Sequence, residues 1–269
     1  MNKKEIISKS DFIISLGTML SNNKEEIRNS IIESIAKTNC QFVYMHPIDN
    51  IDLKLYYTQF VKYEVGSEEG IFALLLDTFA KETNEEVQTY IDNLDLGYIS
   101  AETSAGEEEF EEMLENSSNS KNKTLIIGDD ILEHDRIENI IRIIALLKKY
   151  TDLNIIVLND DLEKRVNNCD GSSLEEIADL KSFDGTLVYR LLENESNDDL
   201  ISSVSFANIA KVSNNDEIYI NYKDQKVKKK LVIDEKLQGT IAIAKILEDD
   251  NELFNGYRYK QVKIQKVDA

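Results

Sequence analysis

Hydrophobic residues follow two different periods along this chain, and the period changes near residue 195. Before that point, short apolar runs alternate with segments in which apolar residues recur every three or four positions, which predicts strands alternating with helices. Such alternation is typical of a parallel sheet with helices on its faces. We therefore predict a Rossmann-like, doubly wound α/β domain, with strands at 11–18, 41–45, 124–127 and 154–158 and helices at 68–81 and 136–150.

After residue 195 the pattern becomes alternating, as in strands with one buried face. Three such runs lie at 217–222, 227–234 and 238–246, with turn residues at 223–224 and 237–239 between them. These runs predict antiparallel strands joined by turns. The domains expected are thus 1–195, the α/β domain, and 196–269, a small C-terminal β unit.

Polar residues just before the helical segments predict where those helices begin. A Ser, Asp or Asn followed by Glu three residues later forms a capping box, which satisfies two free N–H groups of the first turn. The expected pairs are Asn23 with Glu26, Ser104 with Glu107, and Asp135 with Glu138, while Ser67 would cap the helix at 68–81.

Charge and composition narrow the function classes. The chain has 51 acidic residues against 31 Lys and Arg, so its field repels nucleic acid and acidic lipid surfaces. No signal sequence is recognisable, and the most apolar stretch, Ile140–Leu147, is short and contains Arg142. We expect a soluble cytoplasmic protein. Cys40 and Cys169 are too few and too distant for an iron–sulfur or zinc site by themselves.

Two glycines follow predicted strands, where α/β proteins bind phosphate groups. Gly17 and Gly128 fit that position, but neither a GxGxxG nor a GxxxxGK[ST] sequence is present. The residues leave two interpretations open: a nucleotide site at these strand ends, or ordinary strand-to-helix turns.

Acidic residues gather at the same strand ends. Their oxygen and imidazole groups would suit a divalent cation, yet helix N-termini also favour acids through capping and the helix dipole. The residues in question are Asp129, Asp130, Glu133, His134 and Asp135, together with Asp160 and Asp161.

The remaining polar residues give weaker evidence for a functional site. His46 follows an inner strand, but no motif supplies a nucleophile beside it, and Cys40 is expected to pack as a small hydrophobe. The acidic run 107–112 is expected to be a solvated helix face. The Lys226–Lys230 cluster is interpreted as an edge strand protected by lysines. The sequence therefore assigns no catalytic, cofactor-binding or metal-binding residue.

A family resemblance is carried by six tracts of the chain, at 10–37, 41–49, 61–76, 97–109, 125–152 and 255–267. The first two resemble the second Rossmann-like region of molybdopterin oxidoreductases. Together with the other four, they are similar to the large peripheral G subunit of bacterial NADH-quinone oxidoreductase (respiratory complex I) in the Campylobacter and Helicobacter group. The resemblance covers nearly the whole chain as tract-like similarity, without an active-site signature.

The resemblance implies a non-catalytic structural subunit, or a separated module, of the peripheral arm of a complex-I-like enzyme. Full-length G subunits carry iron–sulfur motifs that have no counterpart here, and no cofactor residue carries over, so no cofactor is expected. The implied partners are other peripheral-arm subunits, with the chain cytoplasmic or peripheral to the inner membrane. The alternative is a standalone α/β domain that binds a nucleotide or other phosphorylated ligand at the strand ends.

In such an assembly, surface left uncovered by the missing family domains would dock the partner. Candidates for this apolar patch are Tyr219, Tyr222, Ile241 and the terminal segment 257–267, whose aromatic and basic residues contrast with the acidic remainder. The same aromatic residues could instead form the core of the β unit.

Overall fold

The chain folds into two compact units, each with its own sheet. The structure is a computed structural model and describes residues 2–247 and 255–267. Unit 1 comprises the chain up to Thr18, Glu26–Pro47 and Leu55–Ser182. Unit 2 comprises Met19–Glu25, Ile48–Lys54 and the chain from Phe183 onward. The division thus falls between 182 and 183, where the sequence predicted it between 195 and 196.

Unit 1 is built on a five-stranded, fully parallel sheet, which confirms the predicted fold class. The strand order is β3-β2-β1-β4-β5. Four of the strands were predicted; the remaining one, β3, is only three residues long and offers too short a pattern to recognise. The strands are β1 (Phe12–Leu16), β2 (Gln41–Met45), β3 (Gln59–Val61), β4 (Lys123–Ile127) and β5 (Leu153–Val157).

Eight helices of unit 1 accompany this sheet. The two most apolar, α3 and α7, pack against each other in the main hydrophobic core. The helices are α1 (Lys3–Ile7), α2 (Glu25–Thr38), α3 (Glu68–Phe79), α4 (Glu85–Asp92), α5 (Leu96–Thr103), α6 (Glu107–Ser117), α7 (Ile137–Tyr150) and α8 (Asp160–Asn168).

The predicted capping boxes are wrong in detail. Ser104 has a φ of 55° and ends α5, so the cap of α6 is Gly106, whose N–H donates to Glu109 Oε2 at 2.9 Å. Asn23 lies inside a short 3-10 helix, Asn22–Lys24, that precedes α2. Arg136 occupies the cap position of α7 and makes no side-chain cap. The spacing between a polar residue and a following Glu does not by itself show which residue caps the helix.

Within the described residues, unit 2 contains a seven-stranded mixed sheet, one α-helix and two 3-10 helices, Asn22–Lys24 and Ile51–Leu53. Its strand order is β11-β6-β10-β7-β9-β8-β12, so most neighbouring strands in the sheet are not consecutive along the chain. Strands β6 and β10 pair in parallel, as do β7 and β9, whereas β8 and β9 form an antiparallel hairpin. The elements are β6 (Leu187–Leu192), β7 (Asp199–Ser202), α9 (Val204–Ala210), β8 (Glu217–Tyr222), β9 (Gln225–Ile233), β10 (Ile241–Ile246), β11 (Tyr259–Gln261) and β12 (Lys263–Lys266).

Two predictions about this β unit are confirmed only in part. The hairpin at 217–233 is confirmed, but β10 pairs with β6 and β7 rather than with β9. The lysine-rich strand β9 pairs with β8 over residues 225–230 but with β7 only over residues 230–233. Within the described residues, the lysines at 226–229 therefore have a strand on one side only, as edge protection requires, whereas Lys230 lies between two strands.

None of the helices within the described residues combines the length and apolar character needed to cross a bilayer.

Candidate functional site at the strand ends

The middle of the parallel sheet is the place where a doubly wound fold holds a ligand. Strands β1 and β4 are neighbours there. Strand β2, which follows β1 in the chain, lies on one side of β1, and β4 lies on its other side. In open α/β sheets, ligands bind outside the carboxyl ends of strands at such a reversal of strand order. Gly17 and Gly128 directly follow these two strands.

The turns after β1 and β4 close against each other. The Gly128 N–H donates to the Leu16 carbonyl at 2.8 Å, and the Asp130 N–H donates to the Gly17 carbonyl at 3.1 Å. A Cβ atom on Gly128 would lie 2.0 Å from the Gly17 carbonyl oxygen and 2.4 Å from Thr18 Cβ. The amides of Gly128 and Asp130 thus already have backbone partners, and the two turns are in contact.

The helices that follow β1 and β4 in the chain do not begin directly after Gly17 and Gly128. The α-helix that follows β1 begins at Glu25, and the one that follows β4 begins at Ile137. The two turns therefore lack the direct strand–glycine–helix succession of a dinucleotide-binding motif.

His46, the first residue after β2, lies buried at this end of the sheet. Its Nε2 atom is 3.2 Å from Asp130 Oδ2, and its ring stacks on Tyr44 with 5.7 Å between centroids. Asp130 is itself buried. This contact explains two of the sequence candidates as one internal pair that connects the ends of β2 and β4.

Tyr63 brings a hydroxyl group into the same region from the end of β3. Its side chain is fully buried, and its hydroxyl has no hydrogen-bond partner within the described part of the chain. Burial raises the pKa of Tyr63 well above its usual value, and the nearby Glu68 and Asp130 raise that pKa further. The phenol therefore stays protonated, as a hydrogen-bond donor.

His134 is held in place by contacts of both of its ring nitrogens. Its Nδ1 atom accepts from the Arg136 backbone N–H at 3.0 Å, so the proton must reside on Nε2. Nε2 lies 3.1 Å from the Gly66 carbonyl and 3.4 Å from Glu68 Oε2. The geometry therefore gives His134 a structural role in fixing the turn before α7.

Glu69, in the first turn of α3, is the centre of a second buried network. Its carboxylate accepts from Arg136 Nε at 3.0 and 3.2 Å and from Asn139 Nδ2 at 2.7 Å. Asn139 in turn pairs with the backbone of Glu175, through Nδ2 at 3.0 Å and Oδ1 at 2.9 Å. Through this network α3 and α7 hold the segment that follows α8.

Electrostatics reinforce that network. Although desolvation opposes it, Glu69 and Glu175 raise the pKa of the Arg136 guanidinium above its usual value. Hydrogen bonds from Arg142 and Arg136 lower the pKa of Glu175. Arg136 is thus charged and doubly paired, which suits a structural clamp.

The other sequence candidates are separate from one another. Asp160 pairs with Lys3 at 3.3 Å, Asp161 pairs with Lys164 at 2.8 Å, and Asp135 pairs with Lys181. Glu133 is exposed. Within the described residues, no three His, Cys, Asp or Glu side chains form a group able to hold a metal ion.

The cysteines and the predicted docking residues are less available than the sequence indicated. Burial raises the pKa of Cys40 to about 11, so its thiol is unreactive. Ile241 is buried, and Tyr259 in the terminal segment is 2% exposed. Tyr219 is half-buried, with Lys226 Nζ 3.7 Å from its ring centroid. These side chains form the interior and paired surface of unit 2 instead of an apolar patch.

Sequence reasoning missed the residues that organise this end of unit 1. Glu68 and Glu69 lie in the first turn of a predicted helix and were not singled out, and Tyr63 lay in a segment without a recognised strand. Only the apolar surroundings of α3 hinted that its first turn is buried. Partners such as Arg136 and Asn139 are about 70 residues away and leave no local pattern.

Comparison with known proteins gives a match in structure but none in sequence. No known family profile and no curated protein matches the chain. Solved structures do match, 49 chains in all, among them the acetylene hydratase from Pelobacter acetylenicus. What this match shows is the fold. The TM-score is 0.57 over 98% of this chain and 78% of the hydratase, while only 6% of aligned residues are identical.

Proposed function

We propose that this chain is a non-catalytic structural module of a respiratory NADH-quinone oxidoreductase, positioned in its cytoplasmic peripheral arm. It supports electron transfer from NADH to quinone without carrying a redox centre. The tract resemblance over nearly the whole chain motivates the proposal. The similarity to the acetylene hydratase is a similarity of fold, and it assigns no activity to this chain.

The observation that carries the non-catalytic part is the closed end of the parallel sheet. Gly128 contacts Gly17 and Thr18 so closely that even a Cβ atom at Gly128 would clash with the Gly17 carbonyl oxygen. His46 and Asp130 lie 3.2 Å apart inside the protein and contact each other. This geometry counts against the alternative, a standalone nucleotide-binding domain.

Purification from the native cells tests the proposal. The tagged chain should be expressed from its own locus, membranes solubilised gently, and co-purifying chains identified by mass spectrometry. We expect subunits of NADH-quinone oxidoreductase in near-equal amounts, and none with an unrelated tagged acidic protein. Recovery of the chain alone, from membranes whose complex I stays intact, would contradict the proposal.

A ligand panel tests the alternative directly. A nucleotide at one hundred times its dissociation constant would stabilise the fold by about 2.7 kcal/mol, a readily visible rise in melting temperature. We expect no saturable rise with adenine nucleotides, NADH or FMN. A saturable rise that Gly128→Ala abolishes would instead favour the nucleotide-binding domain.

A further inference from the structure

The turn before β11 contains the one Asn–Gly pair of the sequence, Asn255–Gly256, and both residues are exposed. In such a pair the backbone nitrogen of the glycine can attack the side-chain amide carbon of the asparagine, because glycine has no side chain that shields this nitrogen. Gly256 has a φ of 92°, a left-handed conformation that favours glycine. The fold therefore presents the pair to solvent in a turn that requires its glycine.

Both reacting groups of this pair are available. Within residues 2–247 and 255–267, neither the side-chain amide of Asn255 nor the backbone N–H of Gly256 makes a hydrogen bond. Asn119, an exposed asparagine followed by the small residue Ser120, differs in this respect. The Ser120 N–H donates to the Ser117 carbonyl at 3.0 Å, so this bond would have to break before the nitrogen could attack.

Two buried cationic side chains hold the carbonyl groups of the pair. Lys260 Nζ donates to the Asn255 carbonyl at 2.8 Å, and Arg190 Nη1 donates to the Gly256 carbonyl at 3.1 Å. Lys260 lies on β11 and Arg190 on β6, the strand with which β11 pairs. A Cβ atom at Gly256 would lie only 3.3 Å from Lys260 Nζ. The positive charge of Lys260 is therefore adjacent to the residue that supplies the attacking nitrogen.

The bond from Lys260 acts on the same peptide group as that nitrogen. The Gly256 nitrogen must lose its proton as it attacks, and the negative charge that results is shared with the Asn255 carbonyl oxygen by amide resonance. A charged donor at this oxygen stabilises the developing anion, as the donors of an oxyanion hole do. Lys260 therefore favours the step that begins the reaction.

We propose that Asn255 is a site of intramolecular deamidation that Lys260 activates. The Gly256 nitrogen bonds to Cγ of Asn255, the side-chain nitrogen leaves as ammonia with the proton from Gly256, and a succinimide ring forms. Water then opens the ring to aspartate or isoaspartate. Either product places a new carboxylate beside Lys260 and Arg190, and isoaspartate also lengthens the backbone before β11 by one methylene group. This modification does not depend on the proposed respiratory role.

The test ages the intact chain at neutral pH and follows Asn255 and Asn119 by peptide mass spectrometry, with an isoaspartate methyltransferase assay for the second product. The native chain is compared with the same chain unfolded in guanidinium chloride, which keeps the sequence and removes the Lys260 contact. The variants are Lys260→Met, Lys260→Arg and the control Lys263→Met, which removes an exposed lysine of β12. Circular dichroism establishes which variants fold, and the comparison of folded with unfolded native chain needs none of them.

We expect Asn255 to deamidate about tenfold faster in the folded native chain than in the unfolded chain or in folded Lys260→Met. Lys260→Arg should restore most of the rate, Lys263→Met should leave it unchanged, and Asn119 should stay unmodified in the folded chain. An Asn255 that reacts no faster in the folded chain than in the unfolded one would overturn the proposal. Equal rates in the native chain and in folded Lys260→Met would overturn it as well.

Discussion

The two regions of this molecule use their charges in opposite ways. Residues 1–182 carry 36 acidic and 18 basic residues, whereas residues 183–269 carry 15 and 13. In unit 1, buried charges find internal partners, as Glu69 does with Arg136 and Lys123 does with Asp152. In unit 2, Lys226, Lys228 and Lys230 of β9 are exposed. Unit 1 is therefore strongly acidic, whereas unit 2 is close to neutral and exposes lysines on β9.

The largest expected effect comes from opening the Glu69 network. Glu69→Ala leaves Arg136 and Asn139 without their shared buried acceptor, and breaking a buried ion pair typically costs about 3 kcal/mol. We expect the free energy of unfolding of the chain to fall by that amount in urea denaturation. The control Glu111→Ala removes an exposed acid of α6 and should change stability little. Equal effects of both substitutions would show that Glu69 is not the centre of unit 1.

A methyl group at Gly128 tests the closed strand ends. Gly128→Ala drives a Cβ into the Gly17 carbonyl, and such overpacking should cost about 2 kcal/mol. The matched substitution Gly97→Ala, in α5, meets nothing closer than 3.6 Å and should stabilise the chain slightly by favouring the helix. If thermal melting shows that Gly128→Ala is harmless, the two turns are separable and a ligand could enter.

The substitution Tyr63→Phe, at the same end of the sheet, is expected to raise the stability of the chain. Its hydroxyl is buried without a hydrogen-bond partner within the described residues, so its removal should stabilise the chain by about 1 kcal/mol. Chemical denaturation measures this change. A loss of stability would mean that the hydroxyl binds something at the strand ends, which would reopen this edge as a binding site.

The smallest effect concerns Asp152, which bonds to Lys81 and Lys123. Although desolvation opposes it, hydrogen bonds from these lysines lower the pKa of Asp152. A lowered pKa contributes stability above the unfolded-state value, about 3.9, and loses it as the pH falls through the folded-state pKa.

Because Asp152 is half-exposed, we expect Asp152→Asn to cost only about 0.5 kcal/mol at pH 7, with the difference closing as the pH falls through the folded-state pKa of Asp152. Stability measured across pH checks this, with Asp179→Asn as the exposed control. A difference that persists at low pH would contradict the ion-pair explanation.

The parallel sheet was predictable because each of its main strands carries its own apolar signal. Gln41–Met45 and Glu217–Tyr222 were predicted to the residue. Strands such as β3 and β11 are three residues long and take their pairing from distant partners, which no local period records. The mixed order of unit 2 has the same origin: β10 joins β6, about 50 residues earlier in the chain.

The candidate site was only partly predictable. Because Gly17, Gly128 and Asp130 follow strands that were predicted to be parallel, the sequence placed all three at one end of the sheet. Whether the turns stand apart or touch depends on side-chain size and backbone direction at the contact. The buried role of Glu69 depends on Arg136 and Asn139, which come from another helix, so a single sequence could not reveal it.

Lysine footprinting of the chain, alone and in its native assembly, tests the proposed role as a structural module most directly. Reagent would label exposed amines, and mass spectrometry would quantify each site. The account predicts that a contiguous group of exposed lysines loses reactivity when the chain is in its assembly. Unchanged reactivity of every exposed lysine would contradict it.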